Sequence, residues 1–573
     1  MNEPFPNHDV SPAPTSAPAW LGHPRGLFSL SSIEMWERFG FNGTKAILVI
    51  YLAKHFLFDD EHAYGIFTAF ASLAYLTPFI GGLLADRVLG FKRAVRSGVV
   101  LSAAGYFILA LSGGPPAQQF LEYDGQRYSI EGTHSVGESV SVTTPDDTYD
   151  VHADASGGLV LNPRNRGIPT IVLPPARYRM PVERSLVNVY FTYVGLSLVI
   201  IGTGFFKPNN SSMAGRLYTP ASTLRDAGFN IFYMGLNIGS FLGQLLLPYI
   251  RREVGFPAAF AAAGLAMLVA FAISLATDRH FAASDESGND VRRHRSAGWT
   301  VYGVTLIALA PLWLLLQQPV ITRQFVYAAN GVIFLGLIWY ACARLSRSDR
   351  NATLLAVTLT LFSVVFWALF EQSASSLTLY ADRNTDRTVF GWNMPPDQIQ
   401  FLNPLFIILL TPGFNLMWAL LGRRGWEPDT VLKFALGTLL VAAGFLTLVW
   451  GSHFGGAQAQ VALGWLAAAY LLHTMGELCV SPVGLSMITL LSAPHLAGVM
   501  MGMWFLSGSL AQAVGGVLAT LTTSASVGGE VLDPQLSLVH YARVFNAMGW
   551  TAVVAAAVLM LARPKLKRWA RHA

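Results

Sequence analysis

The chain carries little charge for its length. Of its 573 residues only 12% are charged, whereas 53% are hydrophobic. Soluble domains carry roughly 25% charged residues, so this composition excludes the ordinary soluble class. It predicts instead a polytopic membrane protein.

Cysteine is almost absent, and we expect no cleaved targeting segment at the start of the sequence. The two cysteines, Cys342 and Cys479, lie far apart in apolar segments, so no disulfide framework or cysteine-based metal site is implied. Residues 1–26 are rich in Pro, Ser and Ala and lack a basic start, which predicts a disordered cytoplasmic tail and not a cleaved signal. We expect no metal, cofactor or nucleic-acid partner.

Fourteen segments are long and apolar enough to cross ~30 Å of hydrocarbon as helices. They lie at 27–53, 62–86, 94–113, 186–213, 228–251, 256–277, 298–317, 325–345, 352–380, 397–421, 430–451, 460–492, 496–522 and 541–563. The sequence thus predicts an all-α membrane protein with fourteen spans.

Basic residues are concentrated in alternate loops. They are Arg87, Lys92, Arg93 and Arg96; Arg279, Arg292, Arg293 and Arg295; Arg344, Arg347 and Arg350; Arg423 and Arg424; and Arg563, Lys565, Lys567, Arg568 and Arg571. The opposite loops are poorer, with Arg251 and Arg252 the main exception. Because cytoplasmic loops are enriched in Lys and Arg, both termini are expected in the cytoplasm.

The spans divide into two groups of six around an added pair. Spans seven and eight carry few polar residues and follow a basic linker, so they predict a hairpin that lines no aqueous path. We therefore expect an N-terminal bundle at 27–277, a linker and hairpin at 278–351 and a C-terminal bundle at 352–563. A basic cytoplasmic tail, 564–573, would follow.

The connection between spans three and four, 115–184, is unusually long. Short β-branched runs alternate there with Pro, Gly and Asp breakers, which predicts a small β-rich insert outside the cytoplasm. It has no metal-ligand or nucleophile constellation, so we interpret it as a surface insert, with a binding module as the alternative.

The first span is apolar apart from four charged residues. Glu34, Glu37 and Arg38 share one helical face, and Lys45 follows two turns along it. A charge at the bilayer centre costs about 3 kcal/mol or more unless it is paired or faces water. This face therefore predicts an internal cavity. An ion pair at the membrane surface would explain Glu34 but not Arg38, which lies near mid-span.

Other spans add polar residues at similar depth. Lys207 in span four needs an acidic partner or an anionic ligand, unless it extends to the interface. Asn237 offers an amide to a cavity or to a neighbouring helix. Trp367 and Glu371 are spaced i, i+4, which suits a ligand ammonium group. Asn403 precedes a proline that frees a backbone carbonyl.

Span twelve contains a His and a Glu spaced i, i+4, His473 and Glu477. A second His and a third ligand are missing, so metal binding is disfavoured, and Glu477 is better interpreted as a partner for Lys207. Trp504 in span thirteen is a pocket wall or a packing residue. At the end of span two, Asp86 and Arg87 follow small residues in a predicted cytoplasmic charge cluster.

Several motifs together resemble the proton-dependent oligopeptide transporter family, the peptide branch of the major facilitator superfamily. Residues Gly81 to Arg93 of this chain resemble the loop motif of that superfamily. Five sets of residues in this chain resemble signatures of the peptide branch. They are Glu34, Glu37, Arg38, Phe39 and Gly43; Phe232, Tyr233, Asn237, Gly239 and Ser240; Lys207; Trp367 to Gln372; and Gly476 to Gly484. The resemblance covers nearly the whole chain apart from the 115–184 insert.

The resemblance implies a major facilitator fold, six plus six helices with an extra hairpin, and proton-coupled symport of di- and tripeptides. It suggests roles for the residues already described. Arg38, Lys45 and Lys207 would meet the peptide carboxylate, and Asn237, Asn403 and Glu371 would hold the amino end. Trp367, Ser481 and Trp504 are further candidate substrate-binding residues. Glu34, Glu37, Arg38, Lys207 and Glu477 would couple the proton, and Asp86, Arg87 and the pairs Lys45–Glu371 and Lys207–Glu477 would gate the cavity.

The sequence departs from the family pattern at four neighbouring positions. Phe41 and Asn42 replace two tyrosines, Thr44 replaces a larger apolar residue, and Lys45 replaces an arginine that grips carboxylates with two donors. These changes leave open another solute, such as a non-peptide zwitterion, an amino acid or nitrate. A non-transporting sensor or an insert-centred enzyme is a further alternative, but no nucleophile–base–orienter set supports an enzyme. We expect the carrier to work as a monomer in the inner membrane.

Overall fold

The computed structural model describes residues 19–131, 140–145, 147–153, 158–165, 167–218, 224–280, 295–491 and 496–571. Most of the predicted tail (1–18) and of the predicted linker (281–294) therefore lies outside the described residues.

Fourteen long helices and one short one make up the bundle within the described ranges. They are α1 Arg25–Ile50, α2 Asp60–Leu84, α3 Phe91–Ser112, α4 Leu186–Arg216, α5 Arg225–Glu253, α6 Phe256–Ala276, α7 Arg295–Gln317, α8 Pro319–Arg344, α9 Arg347–Phe370, α10 Ser376–Asn384, α11 Leu402–Arg423, α12 Thr430–Ser452, α13 Leu463–Leu491, α14 Ala497–Thr520 and α15 Pro534–Arg571. Two π-helical turns, Tyr51–His55 and Ala85–Leu89, extend α1 and α2. Short 3₁₀ turns are Pro175–Arg177, Glu371–Ala374 and Pro396–Phe401.

Sixteen short strands lie in the described loops. They are β1 Ala19–Trp20, β2 His23–Pro24, β3 Gln118–Tyr123, β4 Gln126–Glu131, β5 Ser141–Thr143, β6 Thr148–Ala153, β7 Leu159–Pro163, β8 Ile171–Leu173, β9 Tyr178–Arg179, β10 Val182–Glu183, β11 Thr385–Asp386, β12 Thr388–Val389, β13 Trp392–Asn393, β14 Val461–Ala462, β15 Ser526–Val527 and β16 Glu530–Val531.

Thirteen helical segments in the described ranges are long and apolar enough to cross a membrane. The remaining long helix, α1, carries Glu34, Glu37, Arg38 and Lys45, and it is this charge that sets it apart from the others. The fold prediction is confirmed: the protein is all-α across the membrane, with fourteen long helices and a small β-rich insert between α3 and α4.

Several helix boundaries differ from the sequence-based ones, and two of the differences have a visible cause. Helix α9 begins at Arg347 because the Ser346 side chain caps it by accepting from Asp349 N. Helix α15 continues to Arg571, through the segment expected to be a basic tail, and Arg563 and Lys567 contact Asp429 at 2.7 and 2.9 Å. Partial burial opposes ionisation of Asp429, but these two donors lower the pKa of its carboxyl to about 2.

Each half of the bundle has its own apolar core. One core joins α1 to α6 around side chains such as Tyr51 and Phe260, and the other joins α9 to α15 around Phe366 and Phe445. The α7–α8 hairpin packs on the outside of both halves, against α2, α4, α9 and α14, and most of its residues are exposed or half-buried. As expected for helices that are apolar on all sides, they line no central path.

The helix directions define two ends of the bundle. The start of α1 and the end of α15 lie at one end, here called the terminal face. The α3–α4 insert lies at the other end, here called the insert face, together with the π-turn after α1 and the α14–α15 loop. Which face is cytoplasmic stays a prediction at this point.

The insert is a single eight-stranded sheet. Its strands run in the order β10-β3-β4-β5-β6-β7-β8, with β9 also paired to β3, and all pairs are antiparallel. One face of the sheet buries Leu121, Val142, Val151 and Leu161. This burial accounts for the alternating β-branched runs seen in the sequence.

Glycines allow α2, α3 and α4 to approach closely. A Cβ at Gly81 would lie 2.1 Å from the carbonyl oxygen of Gly204, and one at Gly98 would lie 2.6 Å from that of Gly202. Interfaces between membrane helices favour such small residues because backbones can then pack directly.

Replacing Gly81 should therefore separate α2 from α4. We expect Gly81→Ala to destabilise the protein by ~1–3 kcal/mol through overpacking, which thermal unfolding in detergent would measure. Gly82→Ala is the matched control, because its Cβ would meet the Pro208 ring at an ordinary 3.5 Å. Equal melting temperatures for the two variants would contradict this account of the interface.

Candidate functional site

The charged face of α1 is buried inside the N-terminal half. The guanidinium of Arg38 contacts Glu34 at 2.8 Å and Glu37 at 3.5 Å. Glu34 also accepts a 2.7 Å hydrogen bond from Asn210 of α4. Both carboxylate oxygens of Glu37 are buried, and no residue in the described ranges donates a hydrogen bond to them. Glu34 is thus fixed by two helices, whereas Glu37 is held only by the longer contact to Arg38.

Lys207 of α4 lies against aromatic rings. Its Nζ is 3.7 Å from the centroid of the Phe41 ring and 5.0 Å from that of Tyr75. In the part of the chain that the structure describes, no carboxylate comes within ion-pair distance of this ammonium group. Cation–π attraction therefore takes the place of the expected acidic partner in this conformation.

The two halves are joined at mid-span by an ion pair. Lys45 Nζ donates to Glu371 Oε2, and this contact links α1 to the end of α9. Helix α9 ends at Phe370, so Glu371 begins a 3₁₀ turn instead of continuing the helix. The pair was expected from the family resemblance, and it is present.

Tyr75 of α2 lies beside one of these charged residues. Its ring centroid is 5.0 Å from Lys207 Nζ. The sequence analysis did not identify this residue as part of the site, because the only feature that pointed to it was a phenol in an apolar span. Tyr64 gives the same signal in the same helix, yet it lies beside Thr522 instead.

Glu477 has a different partner from the one expected. It accepts a 2.9 Å hydrogen bond from Asn403 Nδ2, which also lies 3.1 Å from the hydroxyl of Thr474. A Lys207–Glu477 ion pair is not formed among the described residues of this conformation. Asn237 donates to the Tyr233 carbonyl of its own helix at 2.8 Å.

The remaining predicted substrate residues lie in the C-terminal half. Trp367 makes edge contacts with Phe366 and Phe370, with ring centroids 5.2 and 5.3 Å apart. The Trp504 ring covers Gly484, where a Cβ would lie 2.1 Å from it. The tip of the Trp504 ring therefore packs against α13. Ser481 lies one turn before Gly484 on α13 and is partly buried.

The spacing of His473 with Glu477 does not build a metal site. The His473 ring packs against Phe445 with centroids 4.9 Å apart, and no group of three metal-ligating side chains occurs in the ranges searched.

The predicted charge cluster at the end of α2 is arranged differently from its motif. Asp86 and Arg87 lie exposed in a π-helical turn, and neither forms an ion pair with another described residue. Lys92 contacts Asp278, at the end of α6, at 2.5 Å, and Arg96 also contacts it. The hydrogen bond from Lys92 has the largest effect on the Asp278 carboxyl, and together with that from Arg96 it lowers the pKa of this group.

Ion pairs between the halves are concentrated at the insert face. Arg383 donates two 2.6 Å hydrogen bonds to Asp60, and Arg251 contacts Asp397 at 2.8 Å. At the terminal face, the ion pairs of the described residues stay within one half, as at Asp278 and Asp429. The site is therefore bounded by cross-half contacts on the insert side.

Comparison with known proteins identifies the family. The POT family model matches residues 92–533. The chain belongs to the POT family. The peptide transporter YePEPT of Yersinia enterocolitica subsp. palearctica is 31% identical over 572 residues, covering 96% of each chain. Dipeptide and tripeptide permease A of Edwardsiella piscicida is 30% identical over 547 residues, covering 95% of each.

Solved structures agree with this assignment. A crystal structure of a mutant of the peptide transporter POT in complex with alafosfalin superimposes with a TM-score of 0.72 and 29% identity, over 96% of this chain and 97% of that one. A bacterial homologue of the human drug peptide transporters matches with a TM-score of 0.70 and 26% identity, over 95% of this chain and 98% of that one. These relatives are transporters, and the described helices of this POT-family chain share their fold.

The Lys45–Glu371 pair should contribute more to stability than a surface pair. Removing one partner of a buried pair costs about 3–5 kcal/mol because the other charge is left uncompensated. We expect Lys45→Met or Glu371→Gln alone to lower the unfolding midpoint in detergent, and the double variant to recover much of the loss.

The control for this cycle is Lys433–Glu427, whose carboxylate is exposed. Its coupling energy should be about 1 kcal/mol or less. Additive effects of Lys45→Met and Glu371→Gln would show that the pair is not coupled.

Proposed function

We propose that the chain is a proton-coupled symporter that imports di- and tripeptides by alternating access of its two halves. The observation that carries this proposal is the division of charge across the site. Lys207, which has no carboxylate partner among the described residues, belongs to the N-terminal half, and the acids Glu371 and Glu477 belong to the C-terminal half. A peptide zwitterion placed between them would meet a partner for each end.

The carboxylate end of the peptide would bind in the N-terminal half. Lys207 is the best candidate because its ammonium rests on aromatic rings and no carboxylate of the described residues has to be displaced from it. Arg38 would join it once its contact with Glu37 is released, and Lys45 once its contact with Glu371 is released.

The amino end of the peptide would bind in the C-terminal half. Glu371 and Glu477 supply negative charge, and Asn403 already orients Glu477. The Trp367 ring, which makes edge contacts with Phe366 and Phe370, would lie beside the ammonium group of the peptide. Asn237 would contribute only after its amide leaves the Tyr233 carbonyl.

Glu37 is the residue that we assign to the coupling proton. It is buried, and its oxygens accept no hydrogen bond from the described residues, so a proton there would not displace an existing donor. Protonation would weaken its attraction for Arg38 and free that cation for the incoming carboxylate. Glu34 would keep its 2.8 Å contact with Arg38, and the hydrogen bond from Asn210 holds Glu34 in place.

The conformation corresponds to an inward-facing state if the terminal face is cytoplasmic. The charge distribution of the loops supports that orientation, and with it an inner-membrane location. Opening to the outside would break Lys45–Glu371 and the Asp60–Arg383 pair. Closing the terminal face would bring Lys207 toward Glu477, which is where the second expected ion pair would form. We propose that a single chain performs this cycle.

The substitutions at Phe41 and Asn42 bear on substrate choice. Asn42 donates a 2.6 Å hydrogen bond to Ser240 of α5, so it ties two helices of the same half. Neither position offers the phenolic hydroxyl of the family pattern. A panel of labelled di- and tripeptides, competed with amino acids, nitrate and non-peptide zwitterions in proteoliposomes with a pH gradient, tests the proposal. Uptake of none of the peptides would overturn it.

Removing the titratable group at position 37 should separate coupling from binding. We expect Glu37→Gln to abolish peptide accumulation driven by a pH gradient, because the side chain can no longer release a proton. Counterflow exchange in the same proteoliposomes should remain measurable. Accumulation by the variant equal to that of the unmodified chain would remove Glu37 from the coupling role.

The aromatic support of Lys207 should also contribute to binding. A desolvated cation–π contact contributes about 2 kcal/mol, so we expect Phe41→Leu to raise the dipeptide Kd roughly tenfold or more, measured calorimetrically. Phe41→Tyr keeps the ring and should bind almost normally.

Phe70→Leu is the packing control for this substitution, since Phe70 is buried against Phe41 with ring centroids 5.9 Å apart. Equal losses of affinity in Phe41→Leu and Phe70→Leu would mean that packing, and not the cation–π contact, is responsible.

A further inference from the structure

The insert closes its apolar core on a residue from the other half of the protein. The sheet is connected at both ends to the N-terminal half, through α3 and α4. Val527, however, lies in the β15–β16 hairpin between α14 and α15, and its side chain is only 2% exposed within the core of the insert. Leu532, just after that hairpin, packs against the same core.

A backbone hydrogen bond reinforces this contact. The amide of Gly528 donates to Gln119 Oε1 of β3 at 2.6 Å. Both turn residues of the hairpin, Gly528 and Gly529, have positive φ angles of 59° and 80°. A two-residue turn with positive φ angles matches the twist of its strands, and it presents Val527 and the neighbouring amide to the insert together.

The same hairpin contacts the N-terminal half directly. Glu530 of β16 and Asp382 at the end of α10 both contact Lys54 at 2.7 Å. The first residues of the insert are in turn held to α1, because Ala117 N donates to the His55 carbonyl at 2.8 Å. The insert, the end of α1 and the α14–α15 hairpin therefore form one connected assembly that bridges the two halves.

We propose that the insert is an external clasp that stabilises the conformation closed at the insert face. This inference rests on the proposed alternating-access function, since only then must the halves separate there. To open, the C-terminal half has to withdraw Val527 from the apolar core and break the Gly528–Gln119 hydrogen bond. The insert thus biases the equilibrium toward the closed conformation, in contrast to a surface insert without influence on the halves.

Weakening the clasp should populate the open conformation. Exposing a buried valine to water is unfavourable enough to change a two-state ratio about tenfold or more. We expect Val527→Ser to increase the open fraction to that extent. Gln119→Ala, which removes only the hydrogen bond, is a milder second variant in case Val527→Ser folds poorly. Val172→Ser is the matched control, because Val172 is 60% exposed on β8 of the insert.

The distance between the halves reports the result without any transported solute. Spin labels at Glu61→Cys on α2 and Leu536→Cys on α15, both exposed at the insert face, would be measured by pulsed electron resonance in nanodiscs. The native Cys342 and Cys479 would be replaced by Ser and Ala. We expect a longer-distance population in Val527→Ser and Gln119→Ala, and an unchanged distribution in Val172→Ser.

The outcomes for the clasp and for the transport proposal are separable. Unchanged distances in both Val527→Ser and Gln119→Ala, with folding confirmed by thermal unfolding, would overturn the clasp whether or not peptides are transported. A longer-distance population in the Val172→Ser control would also overturn it, because the effect would not be specific to the contact. Failure of peptide uptake in the unmodified chain would affect only the transport proposal and leave the distance result valid.

Discussion

The structure depends on how it compensates the charged side chains that the sequence places inside a bilayer. Four of them lie on α1 alone, and a charge at that depth is unfavourable unless another group or water stabilises it. Arg38 meets this requirement within its own helix through Glu34 and Glu37. Lys45 meets it in the other half of the protein, at Glu371. The first solution keeps the compensating charges within one helix, and the second makes an ion pair that depends on how the two halves are arranged.

Lys207 illustrates a third solution. Its ammonium rests on the faces of Phe41 and Tyr75 and has no carboxylate partner among the described residues. Ring faces stabilise a cation without neutralising its charge, so the site retains a net attraction for anions. An ion pair at the same position would have to be broken before a carboxylate could bind. The loss of a tyrosine hydroxyl at Phe41 therefore leaves the electrostatic part of the site intact.

The sequence predicts features that depend on local pattern. Runs of apolar residues are sufficient for the long helices, and alternating β-branched residues are sufficient for the insert. Features that depend on which helices contact each other were harder to predict from the sequence. Asn403 donates to Glu477 on α13, and no spacing within one helix encodes that contact, whereas the place of Asn403 beside the substrate stays a prediction. Tyr75 was missed for the same reason, since its ring meets Lys207, which belongs to another helix, α4.

The insert shows the same limit at a larger scale. From the sequence, a β-rich segment between α3 and α4 is an addition to one half, and its hydrophobic face need only be closed by its own strands. In the structure, Val527 from the α14–α15 hairpin completes that core. A residue separated by several hundred positions becomes part of the same fold because apolar surface must be covered by whatever lies next to it. An element added to one half of a two-part carrier then acts on the other half whenever its core is shared with it, and its energetic effect follows from where that core is completed.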